Sequence, residues 1–172
     1  PAVAVNRDSN GYDVGIGAAF DFTNLIRGEA FVGYLEQEYD QVGFQKVDGI
    51  DFGLNGEWYA SELTAVTAGI NRTVEESSSA GSSGHLDTNY QVGIAHELQR
   101  NIILTADASY LDVEFEGITR DDETISAGVG VQYLVNRNAE LALGYDYTSR
   151  DSSAIGQDYD KSVVGLSLIL KM

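Results

Sequence analysis

The stretch Tyr12-Asp13-Val14-Gly15-Ile16-Gly17-Ala18-Ala19-Phe20-Asp21-Phe22 alternates apolar side chains with small or acidic ones. Such alternation places the two sets on opposite faces of an extended strand, because successive side chains of a strand point in opposite directions. An amphipathic helix needs apolar residues three and four positions apart, and this stretch lacks that spacing. It therefore predicts a β-strand with one apolar face and one small or polar face.

The same alternation recurs and predicts nine strands, at 12–22, 26–38, 48–59, 63–74, 88–98, 102–115, 123–134, 139–148 and 159–171. Residues 2–5 are a candidate for the end of a tenth. Tight turns between these segments alternate with longer polar connections at 39–47, 75–87, 116–122 and 149–158. In an antiparallel up-and-down meander every second connection lies at the same end. One rim of the sheet should therefore carry tight turns and the other should carry loops.

The composition excludes several functions. The 172 residues carry 27 acidic and 10 basic side chains, a formal net charge of −17, and no cysteine. An acidic chain has no basic stripe for phosphates, so we expect no nucleic-acid partner. The two histidines, His85 and His96, have no nucleophile or acidic partner at an interpretable spacing. We therefore expect no enzymatic activity, no catalytic or metal-binding residues and no cofactor.

The composition of the row of residues opposite the apolar row distinguishes a soluble sheet from a membrane barrel. That row is rich in glycine, serine and threonine and is interrupted by acidic and amide side chains, whereas a solvent-facing sheet favours lysine and the chain has only three. Small and polar residues fit the interior of a barrel, and the apolar row then faces lipid. We predict an all-β, antiparallel, up-and-down transmembrane β-barrel forming a single domain over residues 1–172. A soluble β-sandwich or adhesin is the alternative, since its strands alternate in the same way.

Aromatic residues cluster toward the strand ends, as in the two interfacial girdles of membrane barrels. The girdle candidates are Phe20, Trp58 and Tyr133 toward the tight turns, and Tyr34, Tyr110 and Tyr145 toward the loops. The last predicted strand is apolar at every second position up to Met172, as expected of a closing strand that the outer-membrane assembly machinery reads. We expect the outer membrane of a Gram-negative bacterium as the location. Its lipid would face the apolar row, and lipopolysaccharide would meet the acidic loops.

Three stretches near the two ends of the chain resemble a known family. They are Arg7-Asp8-Ser9-Asn10-Gly11-Tyr12-Asp13-Val14-Gly15, Leu143-Gly144-Tyr145-Asp146-Tyr147-Thr148-Ser149-Arg150-Asp151-Ser152 and Tyr159-Asp160. The chain is similar over nearly its whole length to the outer-membrane β-barrel porins associated with extracellular polysaccharide production in Gram-negative bacteria. Members of that family are longer. The resemblance thus implies the C-terminal part of a larger barrel, with about nine to ten strands in this chain, and a passive channel for small solutes or exported polysaccharide.

Two groups of charged residues are candidate sites. Six fall on the polar row near the tight turns and form either a charged constriction or an internal ion-pair cluster that stiffens the barrel: Arg27, Glu29, Glu57, Glu97, Asp107 and Glu140. Six fall at the loop rim, where we expect local ion pairs or contacts with a sugar or an ion: Arg7, Asp8, Arg120, Asp121, Arg150 and Asp151. A structural or surface-interaction barrel that does not conduct is the alternative function.

Overall fold

The computed structural model of the chain describes residues 9–39, 46–77 and 81–171. They form one antiparallel sheet in which each strand pairs with the next along the chain. The strands are β1 Ser9–Thr23, β2 Ile26–Tyr39, β3 Val47–Ser61, β4 Thr64–Glu76, β5 Gly84–Gln99, β6 Ile102–Phe115, β7 Asp121–Asn136, β8 Ala139–Ser152 and β9 Tyr159–Leu170. The prediction of an all-β, antiparallel, up-and-down fold is confirmed. In these three ranges the structure contains no helix that could span a membrane.

The strand bounds agree with the sequence pattern except at the loop rim. Strand β5 begins at Gly84 rather than at residue 88, and β8 runs on to Ser152 rather than ending at residue 148. Both extensions lack apolar alternation, but each pairs with a neighbouring strand, so the backbone hydrogen bonds continue. The connections between β4 and β5 and between β8 and β9 are therefore shorter than expected. The proposed tenth strand at 2–5 lies outside the described residues.

The tight turns share one construction. At each of them the pairing register slips by one residue, between Asp21 and Thr23 in the first hairpin and at the equivalent place in the other three. The Thr23 Oγ1 atom accepts hydrogen bonds from the backbone amides of Leu25 and Ile26, both at 3.1 Å. The Leu25 carbonyl accepts a further one from the Tyr59 amide of β3 at 2.8 Å. Equivalent backbone bonds join the Leu63, Asn101 and Asn138 carbonyls to the amides of Glu97, Leu134 and Lys171, so each tight turn is bonded to the chain segment that follows its hairpin.

The apolar face of the sheet is uncovered. Ile16 on β1 is 76% exposed and Val164 on β9 is 72% exposed, and the apolar positions of the strands between them point to the same side. The buried apolar side chains of the described residues are confined to the loop rim, where Val47, Leu86 and Val113 lie. A β-sandwich packs the apolar faces of two sheets together. The described residues form a single sheet, so the sandwich alternative does not fit this part of the chain.

The sheet is open at β1 and β9. Each of these two strands pairs with one neighbour in the described structure, and they do not pair with each other. Both begin at the loop rim and end at the turn rim, because an even number of direction reversals separates them. The nine strands are thus a curved wall rather than a complete cylinder.

Candidate functional site

The polar face carries a trough of about 840 Å³ toward the turn rim. Its lining comes from runs of two or three consecutive residues on each of β1 to β6, and every second side chain in these runs belongs to the polar face. Charged and amide side chains contribute the polar part of the lining. They include Arg27, Glu29, Asn55, Glu57, Gln91 and Asp107.

Arg27 and Glu57 are directly opposite each other on β2 and β3. The Arg27 Nε atom donates a hydrogen bond to Glu57 Oε2 at 2.7 Å, and its Nη2 atom donates one to the Tyr59 hydroxyl at 2.5 Å. The guanidinium carbon lies 5.2 Å from the centre of the Tyr59 ring. The positive charge of Arg27 is therefore largely balanced at one wall of the trough.

Neutral amides lie beside one another on the polar face of β3, β4 and β5. Asn55 and Asn71 exchange two side-chain hydrogen bonds, each of 3.1 Å, across β3 and β4. The Gln91 amide nitrogen on β5 reaches Asn55 Oδ1 at 3.5 Å. None of these amides was among the predicted site residues, although their positions opposite the apolar row on three neighbouring strands place them on the polar face.

Two carboxylates flank Gly128 on β7. Asp107 of β6 and Asp146 of β8 are its direct cross-strand partners. A side-chain Cβ built on Gly128 would lie 2.8 Å from Asp107 Oδ1 and 3.0 Å from Asp146 Oδ1. Because residue 128 has no side chain, both carboxylates can turn into the same space. A second depression of about 320 Å³, lined by Asp107, Gln132 and Asp146, continues the trough at this place.

The six residues predicted for a constriction do not all meet. Arg27, Glu29, Glu57 and Asp107 line the trough, whereas Glu97 and Glu140 lie outside its lining near the turn rim. The Glu140 carboxylate is 3.3 Å from the Lys171 ammonium, which holds the start of β8 to the end of β9. The role of the six residues in permeation stays a prediction.

A charged cluster, here called the rim cluster, closes the loop rim of the polar face. It consists of Arg120, Asp122, Arg150 and Ser152. The Asp122 side chain is 0% exposed, and its Oδ2 atom accepts a hydrogen bond from Arg120 Nη2 at 2.8 Å. Arg150 Nη2 donates to the same oxygen, and the Ser152 hydroxyl donates to Oδ1. The cluster joins β7 to β8 and to the connection that precedes β7.

The pKa of Asp122 is below its ordinary value. Burial alone would raise it, but hydrogen bonds from Arg120, Ser152 and Arg150 stabilise the charged form and outweigh the burial. Asp122 is therefore an anion held between two guanidinium groups.

The residues predicted for the loop rim divide into three groups. Arg120 and Arg150 lie in the rim cluster. Asp121 and Asp151 are exposed neighbours of the cluster, and the Asp121 amide donates to Ser153 Oγ at 2.9 Å. Arg7 and Asp8 lie outside the described residues. Asp122 was not among the predicted site residues, because a carboxylate in a polar connection gives no sign in the sequence that it is buried.

The predicted girdle residues lie on the apolar face. Loop-ward tyrosines keep their rings over the apolar row and direct their hydroxyls to polar groups: Tyr34 donates to Asp48 Oδ2 at 2.8 Å, and Tyr145 lies 3.2 Å from the Ser162 hydroxyl. The Tyr110 ring lies 6.1 Å from that of Tyr90. Tyr145 is near the middle of β8, because that strand continues to Ser152. Toward the turn rim lie Phe20, Trp58 and Tyr133, all exposed. Amphipathic rings toward the strand ends suit a membrane interface, whereas Tyr145, near the middle of its strand, does not fit the predicted loop-side girdle.

These features define a class of protein. A single up-and-down antiparallel sheet with an exposed apolar face, aromatic residues toward its ends and a polar opposite face is the wall of a β-barrel. Residues 1–172 match the family described as Putative beta-barrel porin 2, and the chain belongs to this family. The resemblance to β-barrel porins is confirmed, and porins are a non-enzymatic class of protein. No curated protein matches the chain significantly.

The single tryptophan of the chain tests which face meets lipid. Trp58 lies on the apolar face and is 50% exposed. In vesicles containing brominated lipid, its fluorescence should be strongly quenched, because bromine atoms in the acyl chains contact groups that face lipid. The matched control is Trp58→Phe/Thr67→Trp, since Thr67 is opposite Glu57 at a similar depth and lines the trough. Equal quenching of the two proteins would contradict the assignment of the faces.

Proposed function

We propose that this protein is a porin-like passive channel in the outer membrane of a Gram-negative bacterium. The observation that carries the proposal is the separation of the two faces. An exposed apolar face with aromatic ends fits lipid, and a face with a trough of about 840 Å³ lined by charged and amide groups fits water. A barrel built from such a wall would enclose a hydrated path across the membrane.

The polar lining favours small hydrophilic solutes. Asn55, Asn71 and Gln91 offer both donors and acceptors, and Glu29 and Asp107 offer further acceptors. Such groups replace part of the hydration of a solute without binding it tightly, which is what passage requires. Exported polysaccharide is the second candidate permeant. It rests on the family resemblance and on the abundance of hydroxyl-binding groups along the polar face.

The same proposal implies which molecules contact the protein in the membrane. Outer-membrane lipid would contact the apolar face, and lipopolysaccharide would meet the acidic loop rim. The outer-membrane assembly machinery would insert the protein.

A structural barrel without conductance is the second candidate function. The observations that favour it are the two bonded clusters of the polar face. Arg27, Glu57 and Tyr59 fill space at one end, and the rim cluster ties the loops at the other. Small barrels fill their interiors with such contacts.

Single-channel recording separates the two candidates. The protein in its full natural length, folded in detergent, would be added to a planar bilayer. A channel gives discrete current steps whose size rises with salt concentration, and heat-denatured protein at the same concentration gives none. Electrical silence from protein with a β-rich circular dichroism spectrum would overturn the channel and support the structural barrel.

A further inference from the structure

The charges on the polar face are strongly unequal. The trough is lined by four acidic residues, Asp21, Glu29, Glu57 and Asp107, and by one basic residue, Arg27. The adjoining depression adds Asp146. The lining of the two together therefore carries 1 − 5 = −4 formal charges.

Pairing leaves most of this charge uncompensated. Arg27 is bonded to Glu57, and that pair contributes no net charge. Among the described residues, no basic group lies within salt-bridge distance of Asp107 or Asp146. The cations of the rim cluster are held by Asp122 at the other end of the face.

The two aspartates also have a particular geometry. They flank Gly128, and the missing side chain there lets both carboxylates face the same open space. A concave surface with low-dielectric walls concentrates the potential of such charges in the water that it encloses. Cations gather and anions are depleted along the path without a fixed binding site.

We infer that the channel prefers cations to anions and that Asp107 and Asp146 are the main residues that set this preference. The inference rests on the proposed channel function. A negative potential of about one kT along the trough gives a cation-to-anion ratio of roughly sevenfold, and charged clefts reach several kT. The Arg27–Glu57 pair shapes the path but leaves its charge unchanged.

Reversal potentials in planar bilayers with unequal KCl concentrations on the two sides test the inference. The full-length protein should favour potassium over chloride, and Asp107→Asn/Asp146→Asn should reduce the permeability ratio at least twofold while the steps remain. The control Glu62→Gln/Glu116→Gln removes the same number of charges at exposed positions outside the two depressions and should leave the ratio near that of the unmodified protein. Trp58 fluorescence confirms that each variant is folded.

The outcomes separate the two claims. Absence of current steps from folded protein would overturn the channel function itself. Steps without a cation preference would overturn the inference alone, and so would a preference that is equal in both double variants. Because mobile ions screen fixed charges, the preference of the unmodified protein should also decline between 0.1 and 1 M KCl, where the screening length falls from about 10 to about 3 Å.

Discussion

Replacing Asp122 by asparagine should lower the free energy of unfolding by about 3 kcal/mol, near the lower end of the cost of breaking a buried ion pair. The aspartate is 0% exposed and accepts hydrogen bonds from Arg120, Arg150 and Ser152. The asparagine side chain keeps the shape but loses the charge, so two guanidinium groups would face each other without an anion. The loop ends of β7 and β8 should separate first.

The matched control is Asp121→Asn. Asp121 is the adjacent residue, it is exposed, and it takes part in the strand pairing through its backbone. We expect a change within about 0.5 kcal/mol for this variant. Urea unfolding followed by Trp58 fluorescence would measure both. Equal loss of stability in the two variants would mean that the rim cluster contributes nothing specific.

The pH dependence of stability gives an independent measure of the same cluster. The pKa of Asp122 is lower in the folded protein than in the unfolded chain, against burial, because of the bonds from Arg120, Ser152 and Arg150. The stabilisation is therefore complete above the unfolded pKa of about 4 and is lost as the pH falls through the folded pKa. Asp122→Asn should remove this part of the acid sensitivity, whereas Asp121→Asn should keep it.

Placing arginine at Val129 should cost about 2–4 kcal/mol in a lipid bilayer, as expected for a cation near the midplane on the lipid side of a barrel. Val129 lies in the middle of β7 on the apolar face and is exposed. Its neighbours across the strands are Ala106 and Tyr145, so no acidic group is opposite it. The charged side chain would have to bend toward an interface or distort the bilayer.

Thr105→Arg is the control for this change. Thr105 is opposite Gly130, one position from the pair of Val129 with Ala106, and it borders the depression of the polar face. Its arginine can reach water and the nearby Asp107, so we expect a loss below about 1 kcal/mol. Guanidinium unfolding in phosphatidylcholine vesicles would compare the two variants. A greater loss for Thr105→Arg would reverse the assignment of the lipid and water faces.

The sequence pattern predicted the sheet because one physical rule governs most of it. Val129, Val131 and Tyr133 must share a face in any strand, and their neighbours must share the other. The rule detects a strand only where apolar residues alternate with polar or small ones. It missed the extension of β8, where Arg150 and Ser152 occupy positions of the polar face, because a charged and a hydroxyl residue give no apolar alternation.

The sequence predicted on which face of the sheet each residue of the candidate site lies, but it did not predict which of these residues meet. Arg27 and Glu57 were both assigned to the polar face, and the structure adds that they are opposite each other. Asp122 and Arg150 could not be matched from the sequence, because their meeting depends on the register between β7 and β8 and on the backbone before β7 that carries Arg120. The convergence of Asp107 and Asp146 over Gly128 depends on two registers at once.

The shared direction of β1 and β9 constrains what can complete the wall. Neighbouring strands of an antiparallel cylinder run in opposite senses around its whole circumference, so these two cannot be neighbours in it. A second copy of the chain, inserted in the same orientation, would bring its own β1 or β9 against these edges. Because β1 and β9 run in the same direction, the new strand contacts would be parallel. Closure therefore requires an odd number of strands beyond these nine, with the first and last running from the turn rim to the loop rim. The complete barrel therefore has an even number of strands, whatever its circumference.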